Sequence, residues 1–116
     1  MRYLCVVHVD PDRMAQLSEA QGQELTRECV AYDDKIRAGG HLIAAEALAT
    51  PETARIVRRR DHKVAVTDGP YIETKEFLGG FLFIEVRDMD EAIEIASNCP
   101  MSRMGSIEVR PQLVRS

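Results

Sequence analysis

Tryptophan is absent from this chain, and Phe, Trp and Tyr together make up 5% of it. Binding of single-stranded nucleic acid needs exposed aromatic platforms on which bases stack, so that mode is disfavoured from the outset. Positive charge is also in deficit. Lys and Arg number 15 against 19 Asp and Glu, a net charge of −4, which gives no long-range attraction to phosphate backbones or anionic lipid. Neither nucleic acid nor a membrane is expected as a partner. Cysteine is scarce and odd in number: Cys5, Cys29 and Cys99 are widely spaced in apolar surroundings, which suits reduced core thiols in a cytoplasmic protein better than a disulfide framework. Long hydrophobic runs are missing too. The opening "MRYLCVVHVDPD" reaches Asp10 too soon for a secretory core region or a bilayer span. No set of His, Cys, Asp or Glu has metal-ligand spacing, so neither a metal nor another cofactor is expected.

What is present suits one globular domain over residues 1–116, with 45% hydrophobic and 29% charged side chains around a single core. Tyr3 to Val9 reads as a first strand, stopped by "DPD" because Pro11 lacks an amide hydrogen for a ladder and suits a helix start. Ser18 and Gln21 have capping-box spacing. Leu25, Cys29, Tyr32 and Ile36 then form one amphipathic stripe, and Gly39-Gly40 closes a helix over about residues 19 to 38, roughly 30 Å long. A strand follows within His41 to Ala49. A hairpin over Thr53 to Thr67 turns near Asp61-His62, and "GGFLFIEV" is a buried strand. Asp88 with Glu91 caps a second helix whose Met89, Ala92, Ile93 and Ala96 share a face; Pro100 ends it. The last strand, "GSIEVRP", sets Ile107 and Val109 against Glu108 and Arg110 on its two sides.

The order β-α-β, inserted hairpin, β-α-β predicts an α+β fold: a ferredoxin-like split βαβ sandwich with its helices on one face of a mostly antiparallel sheet. "LCVVHV" and "FLFIEV" carry apolar residues in both directions. Two helices cover one sheet face only, so the other must meet another subunit or a ligand, and a homodimer is expected.

The stretch "VTDGPYIETKEFLGGFLFIEVRDMDEAIEIASNCP", followed by "GSIEVRP", resembles the signature half of the YCII-related, DGPF-type domain family; "IRAGGHLIAAEAL" extends the likeness over nearly the whole chain. Tyr71 stands where the family usually has Phe, which adds a hydroxyl to the ring. The resemblance implies a dimeric α+β barrel, two sheets facing each other around a cleft. It says little about activity. Many DGPF-type members are encoded near, or fused to, sigma-factor-like regulators. Some relatives in the wider YCII group look like small-molecule lyases with a first-helix histidine beside an aspartate. No histidine lies between Asp12 and Gly40 here, so that mechanism does not carry over.

Candidate site residues cluster in "TDGPYIETKEFLGGF". Asp68-Gly69-Pro70 is either a corner, with Gly69 at positive φ, or a rigid strand end that aims the Asp68 carboxylate into a cleft as a base. On the second reading Tyr71 packs its ring on the cleft wall, and Glu73 and Lys75 supply charge. Thr74 caps a short turn or belongs to a solvated loop. His8, on the same strand face as Leu4 and Val6, is either a hydrogen-bonded interface residue or a second catalytic group. Glu46, flanked by alanines, either faces solvent or lines the cleft. His41 and His62 read as surface residues by turns. Arg58, Arg59 and Arg60 alternate between hairpin faces and form no single basic patch. Two functions stay open. One is a dimeric cleft protein binding a small polar or anionic organic molecule, with weak catalysis at Asp68 and His8. The other is a non-enzymatic module that docks onto a regulator protein such as a sigma-type factor.

Overall fold

A computed structural model describes residues 1–70 and 74–114 of the chain. Strand β1 (Arg2–Val9) leads into a one-turn helix α1 (Pro11–Ala15) and the long helix α2 (Glu19–Ala38); β2 (Leu42–Ala47) follows. The hairpin β3 (Arg55–Arg60) and β4 (Lys63–Asp68) precedes β5 (Phe77–Glu85), α3 (Met89–Ser97) and β6 (Gly105–Pro111). β2, β5, β1 and β6, in that order, form a four-stranded sheet that is antiparallel throughout; β3 and β4 form a separate two-stranded sheet. This is the predicted split βαβ arrangement with an inserted hairpin. Among the described residues, no helix is long and apolar enough to cross a membrane.

Local chemistry accounts for the element boundaries. At the start of α2 the Gln21 amide donates to Ser18 Oγ at 3.1 Å and the Ser18 amide donates to Gln21 Oε1 at 2.9 Å, the reciprocal pair that occupies two otherwise orphan donors. Gly40, at φ 79°, follows the helix where a left-handed residue is needed. Asp88 accepts from the Glu91 amide at the start of α3, while Glu91 reaches back to the Arg87 amide. The hairpin turns on Asp61 and His62, both at positive φ, as a two-residue turn between twisted strands requires.

The core lies between the sheet and the helices. Tyr3, Cys5, Leu82 and Ile84 from β1 and β5 pack with Tyr32, Ile36, Ala92, Ala96 and Cys99. The Tyr32 hydroxyl donates to the Ile95 carbonyl at 2.6 Å, tying α2 to α3. Burial holds the Cys5 and Cys99 thiols up at about 11 and raises Tyr32 as well.

Three sequence expectations change. Pro11 begins a helix of its own, α1, capped by Asp10, before the chain breaks and restarts at Ser18. Ile93 is 48% exposed, and Ile95 packs on the core instead, so the buried stripe of α3 is rotated from the expected one. Gly69 is not at positive φ: Gly40 is the glycine with that backbone among the described residues. What Gly69 supplies is space. A Cβ there would lie 2.7 Å from the Ala54 Cβ, at the point where its amide donates to the Ala54 carbonyl. Gly80 serves the same end between β5 and β2, where a Cβ would fall 2.6 Å from the Glu46 carbonyl oxygen.

The second face of the sheet carries Leu4 and Val6 of β1 opposite Phe83 and Phe81 of β5, with Ala44 of β2 beside Phe83. No described helix covers it.

Candidate functional site

The polar end of that open face is built around His8. Alternation along β1 places Tyr3, Cys5, Val7 and Val9 in the core and leaves Leu4, Val6 and His8 on the other side. Between Val7 and His8 the register with β5 slips by a residue, so that Val7 pairs with Gly80 and His8 with Leu78. A bulge of this kind bends the strand and re-aims the side chain next to it. On its other side His8 is paired with Ser106 of β6, and Val6 with Glu108. Glu108 is therefore the diagonal neighbour of His8, within side-chain reach.

The distances follow from that register. His8 Nε2 lies 3.5 Å from Glu108 Oε1, and Arg110 donates to Glu108 Oε2 at 2.7 Å. The hydrogen bond from Arg110, then that from His8, holds the Glu108 carboxyl below its ordinary range. An ionised Glu108 only accepts, so the ring proton of His8 belongs on Nε2 and the lone pair on Nδ1. Across the sheet the Ser106 hydroxyl donates to Glu76 Oε1 at 2.6 Å. Thr74 donates to the Glu76 carbonyl just before β5.

Two cavities meet at these residues. One, of about 720 Å³, is lined by His8, Thr74, Lys75, Glu76, Arg13 and Arg103 among others. The second, of about 820 Å³, shares His8, Thr74 and Glu76 and is walled by Leu48 to Pro51, Thr53, Ala54, Pro70, Phe77 and Leu78. The first carries charges of both signs, Arg13, Lys75 and Arg103 with Asp10 and Glu76, and Arg13 is paired with Asp10 and Arg103 with Glu28; the second is largely apolar. The His8 side chain is 32% exposed, enough for a bound molecule to reach it. A partly shielded imidazole held by a carboxylate can accept and return a proton, and the adjoining Lys75 can hold an anionic group.

The other predicted residues fall as follows. Lys75 lines the charged cavity and Pro70 the apolar one, so both come together with His8. Asp68 ends β4 with its side chain 90% exposed, 3.4 Å from Arg55 Nε, and lines neither cavity. Gly69 lies beside Ala54 at the root of the hairpin. Glu46 is exposed and borders a third cavity, of about 480 Å³, beside α2. Tyr71 and Glu73 lie outside the described residues. No group of three or more His, Cys, Asp or Glu side chains is placed to hold a metal ion among the described residues.

Sequence reasoning missed Glu76, Ser106, Glu108, Arg13 and Arg103 as neighbours of His8. The polar side of "GSIEVRP" was visible, but only the pairing of β6 with β1 shows that it meets His8.

The fold and this sheet-end site define an α+β protein of a known class. The model of the YCII-related domain matches residues 1–113, and the chain belongs to that family. An uncharacterized protein of Rhizobium meliloti (strain 1021) is 32% identical over 114 residues, covering 96% of this chain and 91% of that one. Among solved structures, the chain is similar to 5-chloro-2-hydroxyhydroquinone dehydrochlorinase (TftG) from Burkholderia phenoliruptrix AC1100, in complex with 2,5-dihydroxybenzoquinone. The TM-score is 0.57 at 14% identity, over 97% of this chain and 94% of the other, a likeness of fold.

Proposed function

We propose that the protein binds a small polar or anionic organic molecule where the two cavities meet, and that His8 exchanges a proton with it. The observation that carries this reading is the placement of His8, backed by Glu108, at the junction of a charged cavity and an apolar one. With Nε2 turned to Glu108, Nδ1 is the acceptor for a hydroxyl proton, and the Glu108 charge stabilises the imidazolium that forms. Lys75 would hold the anionic part of the molecule, and Leu78, Phe77 and Pro70 its ring or chain. The structural neighbour holds a dihydroxylated benzoquinone. Hydroxylated rings of that type, with flat ring faces for the apolar wall and acidic hydroxyls for His8 and Lys75, are the first probes to try.

The protein acts as a homodimer in this reading, with the apolar faces bearing Leu4, Val6, Phe81 and Phe83 set against each other to form the dimeric α+β barrel. Such a pairing would bury the one sheet face that the helices leave open.

The test is a thermal-shift screen of dihydroxybenzoquinones, catechols and small carboxylates, repeated with His8→Asn. A bound probe at 100 times its dissociation constant adds about 2.7 kcal/mol of stability. The expected result is stabilisation of the natural chain and little or none of His8→Asn. Equal stabilisation of both would place the binding site elsewhere.

A further inference from the structure

The β3–β4 hairpin belongs to no layer of the domain. Among the described residues its strands pair only with each other, and every residue in them is exposed except Ile56. The chain's radius of gyration is 16.2 Å, against about 13 Å for a compact chain of this length. An arm standing off the body explains the difference. A lone two-stranded ribbon is marginally stable in water, yet this one is not polar on both sides. Its register pairs Val57 with Val66 and Val64 with Arg59, so three valines stand on one face. They are 66%, 61% and 53% exposed for Val57, Val66 and Val64. Nothing in a solitary hairpin uses such a row.

Charge indicates what covers it. Arg55, Arg58, Arg59, Arg60 and Lys63 against Asp61 and Asp68 give the arm a net +3; the whole chain is −4, so the remainder carries −7. The surface complementary to this basic, valine-faced arm is the body of the same protein. Among the described residues the arm is not paired with the sheet of its own body and its faces stay exposed there; its root closes where the Gly69 amide donates to the Ala54 carbonyl. That root also joins the arm to β2, the edge strand beside the open apolar face.

We propose that the β3–β4 arm is a clasp: its valine face lies on the acidic body of a second copy of this chain, reciprocally across the two-fold axis. This rests on the homodimer of the preceding section and adds a second contact to it. It also has a consequence for the site. Thr50, Thr53, Ala54 and Pro70, which wall the apolar cavity at His8, are the arm's root. Seating the arm on the partner fixes that wall, so clasping and ligand binding are coupled.

The experiment compares the natural chain with Val57→Asp/Val66→Asp and with Phe83→Asp by sedimentation equilibrium at low and high salt. The clasp predicts that the natural dimer weakens as salt rises, and that the arm variant weakens it at least tenfold and removes most of the salt dependence. A natural dimer indifferent to both the arm variant and salt, but broken by Phe83→Asp, overturns the clasp and leaves the sheet-face dimer standing. A monomeric natural chain overturns both. If the arm variant fails to fold, mixed dimers decide. One copy carries a nitroxide at His62→Cys in a Cys29→Ser background; the other is isotope-labelled and unmodified. Broadening of body amides in the labelled copy supports the clasp. Broadening absent there, or an arm that stays fully solvent-exchanging in the dimer and so is left for a different protein, overturns it.

Discussion

Phe83 and Ile84 are adjacent on β5 and point to opposite faces of the sheet, which makes them a matched pair of probes. Ile84 is fully buried, at 0% exposure, among Tyr3, Cys5, Tyr32, Ile36 and Val86. Ile84→Ala removes three buried carbons and leaves a hole that a sheet packed on two helices closes poorly, so the cost is about 2–5 kcal/mol; Ile84→Val should cost about 0.5–1.5 kcal/mol. Phe83 stands on the open face, opposite Leu4 and beside Ala44. Within one chain Phe83 is only partly covered; under the proposed homodimer a second copy supplies the rest of its burial. Thermal unfolding at about 2 µM and about 200 µM protein separates the two cases, because association makes the melting temperature depend on concentration. The natural chain should melt higher at the higher concentration. Ile84→Ala should lower the midpoint by roughly 10 °C at both, taking about 3–6 °C per kcal/mol for a chain of this size. Phe83→Ala should remove most of the concentration dependence and cost more at high concentration than at low. A natural midpoint independent of concentration, or a Phe83→Ala loss equal at both, would refute the covered face.

Asp68→Asn and Asp68→Ala should each change stability by less than about 0.5 kcal/mol in denaturant titrations, because the Arg55 partner sits in solvent and an exposed pair contributes little. Neither should alter ligand affinity, and a loss of binding in Asp68→Asn alone would return the site to that loop. Cys5 and Cys99 have folded-state values of about 11 against an ordinary 9.0, raised first by burial. A raised folded value means that the contribution is full below pH 9 and is lost as pH climbs from 9 to 11. Urea titrations at pH 8 and pH 10.5 should show the drop; equal stabilities would contradict the buried thiols.

The fold was legible because its signals are local. Ser18 with Gln21, Gly39-Gly40, Asp88 with Glu91, and Asp61-His62 each declare an end or a turn within a few residues, and the structure places elements at all of them. Where the signal was weaker the reading slipped. Ile93 and Ile95 both fit an apolar stripe, and only packing against Tyr32 selects Ile95. Gly69 suggested a positive φ, but its role is to clear Ala54, which lies just before β3 at the other side of the hairpin's root. Among the residues that line the two cavities, the sequence singled out Lys75, Pro70 and, at the junction, His8. The His8 partners Glu76, Ser106 and Glu108 come from distant parts of the chain, and a bulge at Val7/His8 sets the aim. No local pattern encodes that register. Asp68 drew attention because Asp-Gly-Pro is conspicuous backbone; the residue ends β4 at the root of the arm, beside Arg55.

The chain has three histidines, His8, His41 and His62, which supply one site probe and two internal controls. His41 Nδ1 sits at the Glu85 carbonyl and His62 in the hairpin turn, both away from the cavities. The most direct test is a titration of the uniformly labelled protein with 2,5-dihydroxybenzoquinone, following the imidazole resonances by NMR at constant pH. The account predicts a saturable shift of the His8 ring toward the protonated form, with His41 and His62 unmoved and no saturable binding by Glu108→Gln at the same concentrations. A probe that saturates the protein while the His8 resonances stay in place would contradict it.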